Sequence, residues 1–476
     1  MPDPTLTQAQ PASGDTPPPS PARPQTGGLP MLHILRTWWP LAASWLLMGF
    51  EGPAVASVVA RMADPKINLA AWGGIVFPLS LMAEAPIIMM LAASTALSRD
   101  WKSYVKLRRF MNRLGASMTA IHVIMVATPL YYLIVRDVIH APEEIIGPAR
   151  LGLFIMIPWT WSIAYRRFHQ GVLIRFGHSL KVGLGTLVRF SADATVLAIG
   201  YFLAGLPGIA IAGCGMIAGV MSEALYVHLT VRSTLRNELK PAPPVDVPLT
   251  TRAMLDFYIP LSLTQLLMLV ANPIGSAAMS RMPLALESLA AWPTVGAVRY
   301  ITGGFGGAYN EVMVALVERE RSYRQLRRFA VGLGIFSTAI LAALTVPAVA
   351  HAIFARLMDL ADPLPTIIHR CSFVLVPMPA IAVFQSYFQG IMLHSRRTRS
   401  ITESVAIFLG VAAVALVAGV VWGGATGLYV TMAAFVLGEL VRTFWLWLRS
   451  RGARRELRER DAAAWAALAE TPEMAL

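Results

Sequence analysis

Two carboxyl side chains lie in the middle of long apolar stretches of this sequence. Glu51 stands directly before a Gly-Pro pair, and Glu84 stands two residues before Pro86. A charge inside a membrane span costs at least ~2.5 kcal/mol on insertion scales, so each one indicates a function or a specific partner. A Gly-Pro pair also disrupts a helix and frees carbonyl groups beside the carboxyl. We therefore interpret Glu51 and Glu84 as candidate coupling sites for H⁺ or Na⁺; the alternative for Glu51 is a carboxylate near the outer interface that reaches water.

Three basic or acidic residues in other apolar stretches are candidates for the lining of a substrate cavity. Arg189 and Asp193 are four residues apart, so they share a helix face and can neutralise each other. The functional alternative places Arg189 in the cavity as a contact for an anion. Arg299 is a candidate to attract Glu84 across a central cleft and close one face of the cavity; the alternative, which such charges more often represent, is a packing ion pair within one lobe.

The second half of the chain supplies three further polar candidates. Asn272 occupies the place that parallels Gly52, and we group it with Glu51 as an ion-coupling residue. Tyr309 and Glu311 lie near the end of one apolar stretch and are candidates for the cavity lining. The alternative for Glu311 is a position that approaches the cytoplasmic interface.

Sequence signals of enzymatic chemistry are absent. The chain has no P-loop, no HExxH helix, no CxxC pair and no GxSxG turn. Its nine histidines show no spacing typical of metal ligands. We therefore expect no enzyme, no metal site and no cofactor beyond H⁺ or Na⁺ as a coupling ion.

The composition places the chain in a lipid bilayer. Of its 476 residues, 56% are hydrophobic and 14% are charged, whereas a soluble domain carries roughly 25% charged residues. Apolar runs of about 20 residues recur along the chain and show no alternation of period two, which indicates helices rather than barrel strands. The net charge of +13 lies in short loops between these runs, so it is a signal of topology and not of nucleic-acid binding.

The sequence is duplicated, and most matches between its two halves share one offset. The tetrapeptide at 69–72 (LAAW) returns at 289–292, and the tetrapeptide at 107–110 (LRRF) returns at 326–329. The offset falls from 220 to 219 between these two matches. A duplicated membrane protein usually forms two bundles that face each other, with the working site between them.

The apolar runs predict twelve transmembrane helices in two sixes. Basic residues cluster in the segments after the even-numbered spans, so we expect both termini on the cytoplasmic side. Each half has an even number of spans, and the two repeats are therefore parallel. The predicted spans cover about 36–62, 69–97, 114–135, 148–172, 182–204, 208–232, 257–282, 287–317, 330–354, 367–393, 400–422 and 424–448.

The same pattern predicts five segments. Residues 1–33 form a disordered cytoplasmic tail, 34–235 an N-terminal six-helix lobe, 236–256 a cytoplasmic linker, 257–448 a C-terminal six-helix lobe and 449–476 a basic cytoplasmic tail. Prolines at 241, 243 and 244 prevent a continuous helix through the linker. The basic tail is expected to be either an amphipathic helix on anionic lipid or a solvated helix.

Two six-helix bundles, each opening with an apolar helix that carries a proline near its start, resemble the multidrug/oligosaccharidyl-lipid/polysaccharide (MOP) exporter superfamily. Residues 48–53 and 69–72 are similar to the first helix of MATE transporters and the start of the second, where the family typically has an acidic residue at the place of Glu51. The sequence has Glu where MATE proteins typically have Asp, and its seventh span has no acid. The resemblance implies a transporter and leaves the coupling ion open.

A more local likeness is to the progressive ankylosis (ANK) family of organic-anion and polyanion exporters. It covers residues 158–171 with Ser179 and Asp193 after them, and residues 254–260 at the opening of the second half. This resemblance implies export from the cytoplasm by alternating access.

The primary expectation is a cation-coupled, MATE-like exporter of small organic solutes. The alternatives are an ANK-like exporter of organic or phosphorylated anions, a flippase for lipid-linked sugars, and a membrane-embedded scaffold without transport. We expect a monomer in the inner membrane of a bacterium, with the bilayer and a small-molecule substrate as its partners and no nucleic acid. An acidic central cavity favours cationic substrates, and a cavity ringed by arginine favours anions or lipid phosphates.

Overall fold

The structure, a computed structural model, describes residues 29–202, 205–245, 248–395 and 399–469. All regular secondary structure in these ranges is helical. Most of the expected N-terminal tail lies outside the described residues, and so do Arg396 and Arg397, one of the basic groups that set the predicted orientation.

The described helices form twelve rods, which we call spans 1 to 12, two short helical segments between spans at 130–138 and 347–357, and a tail helix. Short breaks divide span 1 after Gly49, span 2 after Ile88, span 4 after Ile155 and span 10 after Leu375. The spans cover residues 31–59, 65–97, 101–127, 143–175, 179–202, 208–239, 251–279, 285–316, 323–343, 364–394, 399–422 and 427–449.

The predicted all-helical membrane fold is confirmed. Among the described residues, nine helices are long and apolar enough to cross a membrane, or ten when the bent pair of span 10 counts as one. Spans 4 and 8 fall outside this count and carry charged residues within them, among them Arg166, Arg167 and Arg299. In both spans the charges lie against other helices of the protein, as described below.

Span 3 begins thirteen residues earlier than its apolar run predicts. The helix starts at Trp101 because the Asp100 side chain accepts a hydrogen bond from the Ser103 amide at 3.0 Å and caps the first turn. Its first turns carry basic residues on an exposed face and bury Tyr104 and Leu107 on the other. An amphipathic turn at a membrane surface has too few apolar residues to be seen as part of a span.

Contacts between the two halves recur at the offset of the sequence repeat. The indole nitrogen of Trp38 in span 1 donates to the Phe305 carbonyl in span 8 at 3.1 Å. The Tyr258 hydroxyl in span 7 donates to the Pro86 carbonyl in span 2. Tyr258 is the repeat equivalent of Trp38, and Phe305 is the repeat equivalent of Pro86. The first helix of each half therefore packs on the opposite half, as an approximate two-fold arrangement requires.

The approximate two-fold axis passes between spans 2 and 8. Gly73 and Pro293 are equivalent positions of the two repeats, and a Cβ built on Gly73 would lie 2.0 Å from the Pro293 Cγ. Equivalent residues that touch each other lie on the symmetry axis. Glycine at position 73 lets the two helices cross at this close distance.

Gly73→Ala should push spans 2 and 8 apart and destabilise the protein by about 1–3 kcal/mol, because its methyl group overlaps the Pro293 ring. Thermal unfolding of the detergent-purified protein measures this change as a lower melting temperature. Gly296→Ala in span 8 is the matched control, since no atom lies within 4 Å of the added Cβ. Equal melting temperatures for the two variants would contradict the tight crossing.

The first and the last described segments lie at one end of the molecule, which we call the inner end after the orientation predicted from the sequence. Leu29 and Ile34 share a buried cluster with Leu446 at the end of span 12 and Leu457 in the tail helix, Arg451–Ala469. The Tyr323 amide donates to Asp461 at 2.9 Å and joins this helix to the start of span 9. Residues 451–469 of the basic tail are thus helical and pack on the C-terminal half of the protein.

Candidate functional site

Span 1 is interrupted beside its buried acid. The helix Met31–Gly49 ends one turn before Pro53, and a second helix, Glu51–Val59, begins with the acid itself. Pro53 has no N–H to donate to the carbonyl four residues earlier, which weakens the helix at Gly49. A Cβ on Gly49 would lie 2.6 Å from Ile301 Cγ1, so glycine also permits close contact with span 8. The break places Glu51 next to the opposite half.

Glu51 forms an ion pair with Arg189 of span 5. The Arg189 Nε donates to Oε1 at 3.0 Å and its Nη2 donates to Oε2 at 2.5 Å, while both side chains are only 14–16% exposed. The guanidinium also lies over the Trp159 ring, 6.0 Å from its centroid. A two-point contact of this kind fixes orientation and is strong where water is scarce. The ion pair therefore ties the outer half of span 1 to span 5.

Asp193 is not the partner of Arg189, contrary to the internal pair that the sequence spacing predicts. Its side chain is 1% exposed, and its Oδ1 has no hydrogen-bond partner among the described residues. Span 6 encloses it, because a Cβ on Gly215 would lie 2.8 Å from Oδ1 and one on Gly219 would lie 3.2 Å from the Asp193 Cβ. Asp193 is held between two helices of one half rather than in the lining of a cavity.

The predicted attraction between Glu84 and Arg299 is not formed. Within the described residues no ion pair joins them: Glu84 is 4% exposed and lies within electrostatic range of Arg166 and Arg189 in its own half. Arg299 lies over the Phe435 ring, 6.0 Å from its centroid, and within range of Glu439. Each charge thus lies within electrostatic range of opposite charges in its own half, and neither residue forms an ion pair among the described residues.

The other three candidates of the second half do not join Glu51. Asn272 donates weakly, at 3.5 Å, to the Leu269 carbonyl, which Pro273 leaves without its usual partner. The Asn272 side-chain amide thus forms its hydrogen bond within its own helix. Tyr309 is fully buried and donates to the Leu326 carbonyl at 2.7 Å, which makes it a core residue instead of a lining residue. Glu311 is exposed.

Arg167 faces the boundary between the halves without a carboxylate. No acidic partner contacts it within the described part of the chain, and its Nε is buried without a hydrogen bond. Tyr300 of span 8 lies within electrostatic range of Arg167, Arg189 and Glu51 together. Gly52 approaches Ala297 of the same span, with 3.5 Å between the added Cβ and the Ala297 Cβ. Glu51, Arg167 and Arg189 thus lie near the opposite half at the level of Tyr300.

Each half also contains a buried polar cluster between its fourth and sixth spans. In the N-terminal half, Arg166 and Gln170 both donate to Glu223, which is fully buried. In the C-terminal half, Gln385 donates to Glu439 at 2.7 Å. Gln385 is the repeat equivalent of Arg166. The structure pairs Arg166 with Glu223 inside a lobe, where the pair supports the fold.

Glu223→Ala should destabilise the protein by about 3–5 kcal/mol, because it leaves the Arg166 charge buried without a partner. Replacing both members, Arg166→Met with Glu223→Leu, should recover most of the loss, since an apolar pair carries no desolvation cost. Melting temperatures of the two variants provide the comparison. A double variant no more stable than Glu223→Ala would show that the ion pair is not the source of the effect.

Two equivalent arginines link the halves at the outer end. Arg61 donates to the Leu357 carbonyl at 2.6 Å and to the Met358 carbonyl at 3.3 Å. Its repeat equivalent, Arg281, donates to the Ile139 carbonyl at 3.0 Å and to the Val138 carbonyl. We call this reciprocal set the outer latch.

Lys66 and Glu287 add a direct ion pair between spans 2 and 8 at 2.6 Å, so the outer end is closed in this conformation. The sequence contains a signal for this latch, because Arg61 and Arg281 recur at the repeat offset of 220. Recurrence alone does not predict that both side chains reach carbonyls of the opposite half.

No group of three or more metal-ligating side chains occurs among residues 29–202, 205–245, 248–395 and 399–469. The described charged residues therefore form ion pairs or stand as single carboxylates, and they do not form a cluster of metal ligands. Glu51 and Glu84 lie in the same half, and only Glu51 has an arginine within hydrogen-bonding distance.

The fold is similar to solved transporters of low sequence identity. No protein-family model matches the sequence. An inward-facing multidrug-resistance transporter of the MATE family aligns over 88% of this chain and 98% of its own, with a TM-score of 0.61 and 16% identity. A MOP superfamily transporter from Pyrococcus furiosus, described as having a binding pocket of reverse polarity, aligns over 91% and 97%, with a TM-score of 0.59 and 16% identity.

The lipid II flippase MurJ, in an inward closed conformation, aligns over 92% of this chain and 91% of its own, with a TM-score of 0.63 and 13% identity. Each alignment spans nearly the whole of both chains. The chain therefore has the fold that MATE-family transporters of the MOP superfamily share with MurJ.

Proposed function

We propose that the protein is a cation-coupled secondary transporter that exports small organic solutes by alternating access. The observation that carries the proposal is the Glu51–Arg189 ion pair at the boundary between the halves. The pair belongs to the half-helix Glu51–Val59, which is separated by a break from the rest of span 1. Arg61 of the outer latch follows this half-helix directly. A change at Glu51 is thereby connected to the closure of the outer end.

The coupling follows from the charges. A proton or Na⁺ on Glu51 competes with Arg189 for the carboxylate and weakens the tie between spans 1 and 5. The half-helix is then released from span 5. Arg61 lies about 15 Å from Glu51 along the same helix axis and moves together with the half-helix. The two halves also meet through reciprocal sets of hydrogen bonds, which can be broken and formed as sets when the halves move against each other.

A second candidate is export of organic or phosphorylated anions, including flipping of a phosphate-bearing lipid. Arg167 favours it, because this arginine lies within electrostatic range of Tyr300 and contacts no carboxylate in the described part of the chain. Release of Arg189 from Glu51 would add a second positive charge at the same place. In that case, the cation would bind Glu51 and the anion would bind the released Arg189, so one ion pair would supply both sites.

Uptake into inverted vesicles from cells that express the chain tests both candidates. Ethidium serves as the cationic probe and carboxyfluorescein as the anionic probe, each with and without an imposed H⁺ or Na⁺ gradient. Gradient-dependent uptake of ethidium supports the first candidate, and uptake of carboxyfluorescein that falls with Arg167→Gln supports the second. Uptake equal to that of vesicles without the protein, for both probes and both gradients, would contradict the proposal.

A further inference from the structure

A basic cavity of about 200 Å³ lies at the inner end of the N-terminal half, away from the boundary between the halves. Spans 3, 4 and 6 form its walls. Its polar lining consists of Tyr104, Arg108, Asn112, Tyr165, His169, His228 and Arg232. None of these residues belongs to the Glu51–Arg189 pair, the buried polar clusters or the outer latch.

The hydrogen bonds around His228 leave a donor facing the cavity. Arg232 Nη2 lies 2.6 Å from His228 Nε2, and because a guanidinium only donates, this nitrogen accepts. The imidazole proton is then on Nδ1, which donates to the Tyr165 hydroxyl oxygen. The Tyr165 hydroxyl hydrogen has no further acceptor among the described residues. It is free to donate to a ligand in the cavity.

A second histidine fixes the opposite wall. His169 is 3% exposed, and its Nδ1 donates to the Tyr165 carbonyl at 2.9 Å. Its Nε2 therefore accepts, and the Tyr104 hydroxyl lies 3.4 Å away as the donor. Arg108 lies over the Tyr104 ring, 5.8 Å from its centroid. The wall is thus built from side chains with fixed orientations.

The charge of the cavity is positive and uncompensated. Its lining contains two arginines and no carboxylate. Among the described residues, neither Arg108 nor Arg232 forms an ion pair with an acidic side chain. The charges in electrostatic range of Tyr165 are Arg108 and Arg232. Two fork-shaped guanidinium groups and a free hydroxyl donor suit the oxygens of a phosphate group.

The C-terminal half provides an internal comparison. Its corresponding groove, a cavity of about 380 Å³ between spans 9, 10 and 12, has Phe384, Phe388 and Trp447 among its lining residues. These aromatic residues occupy the repeat-equivalent positions of Tyr165, His169 and His228. The duplicated framework therefore packs with apolar residues at all three positions, so the fold does not require the polar set.

The tail helix covers the inner end of the groove in the C-terminal half. Arg454 of this helix lies over the Phe388 ring at 5.4 Å and over the Trp447 ring at 5.5 Å. In the N-terminal half, Leu235 stands at the position equivalent to Arg454 and lines the cavity itself. The Arg454 guanidinium thus covers the groove of the C-terminal half, whereas the N-terminal half has the apolar Leu235 at this position. The two arginines in the wall of the N-terminal cavity remain available to an anion from outside the protein.

We propose that this inner cavity binds a phosphate group through Arg108, Arg232 and the Tyr165 hydroxyl. Its position, one turn into span 3 and at the end of span 6, is at the level of lipid headgroups on the inner surface. The phosphate belongs either to a soluble phosphate or to an anionic lipid headgroup. The site is separate from the proposed transport pathway.

Calorimetric titration of the full-length protein in neutral detergent tests the site with two probes. Inorganic phosphate represents the soluble source, and dihexanoyl phosphatidic acid represents the headgroup. Arg108→Gln and Arg232→Gln should each weaken binding roughly tenfold, because each removes a charged donor. Arg109→Gln is the matched control, since it removes the same charge from the neighbouring residue, which does not line the cavity. It should change the dissociation constant by less than about twofold, as expected of an exposed charge outside the contact.

Tyr165→Phe with His228→Trp copies two of the three aromatic positions of the C-terminal half and should fold normally, yet it should bind either probe weakly. Binding of inorganic phosphate identifies a soluble ligand, and binding of phosphatidic acid alone identifies a headgroup. Failure of both probes to bind, or equal losses in Arg108→Gln and Arg109→Gln, would overturn the proposal. The titration includes no transport step, so its failure leaves the proposed transport function unaffected.

Discussion

Glu51→Gln should abolish the response of uptake to an imposed cation gradient, with a fall in the gradient-driven rate of at least about tenfold. Glutamine keeps the size of the side chain and an oxygen that accepts from Arg189, so the local packing is retained. It carries no charge and cannot exchange a proton or bind Na⁺ in place of Arg189. The coupled step is therefore lost, whereas exchange of the probe without a gradient continues. Parallel uptake and exchange assays in the same vesicles measure the two quantities.

Two controls separate coupling from damage to the fold. Glu51→Asp keeps the carboxylate and should restore a response to the gradient. Glu311→Gln removes an exposed carboxylate of span 8 that contacts neither Glu51 nor Arg189, and it should leave uptake unchanged. A Glu51→Gln protein with normal gradient-driven uptake would remove Glu51 from the coupling mechanism, while the transport fold would be unaffected.

Removal of the outer latch, in Arg61→Ala with Arg281→Ala, should shift the protein toward a state open at the outer end. Each arginine donates to two carbonyls of the opposite half, and a hydrogen bond to a charged group contributes about 1.5–3 kcal/mol. The loss of both arginines therefore removes at least about 3 kcal/mol of closure energy. The open-to-closed ratio should rise roughly a hundredfold.

Pulsed electron paramagnetic resonance measures the opening directly. Spin labels at Ala63→Cys and Ala361→Cys, both exposed at the outer end, report the distance between the halves. The native Cys214 and Cys371 are first replaced by alanine. Removal of the latch should lengthen and broaden the distance distribution.

Arg136→Ala is the matched control for the latch, because this outer arginine pairs with Glu143 inside one half. It should leave the distance distribution unchanged. A distribution that is the same with and without the latch arginines would show that the remaining contacts, such as the Lys66–Glu287 pair, suffice to close the outer end.

The helical membrane fold and the repeat are readable from the sequence because they depend on local quantities. Apolar runs of span length require helices in lipid, where backbone groups have no other partners. The matches at offsets of 219 and 220 predict paired lobes, and the structure repeats them in the contacts of Trp38 and Tyr258. The start of span 3 was missed because Asp100 caps a helix whose first turns are amphipathic, which hydropathy does not detect.

The pairing of charges was not readable from the sequence, because each charged group had several possible partners. Helical spacing favours Arg189 with Asp193, yet Arg189 reaches Glu51, which lies 138 residues away. The reason is packing: two glycines of span 6 enclose Asp193, and the break of span 1 brings Glu51 within reach of Arg189.

The sequence alone determined that the chain is a duplicated bundle of membrane helices with buried charges, since length, hydropathy and internal repetition suffice for this. Only the tertiary structure decided which of these charges neutralise each other, which hold the two halves together and which line the inner cavity. The partners lie on different helices, far apart along the chain. Their contacts depend on how each helix is rotated and how closely glycines let it approach, and neither quantity is encoded in the spacing of residues along one helix.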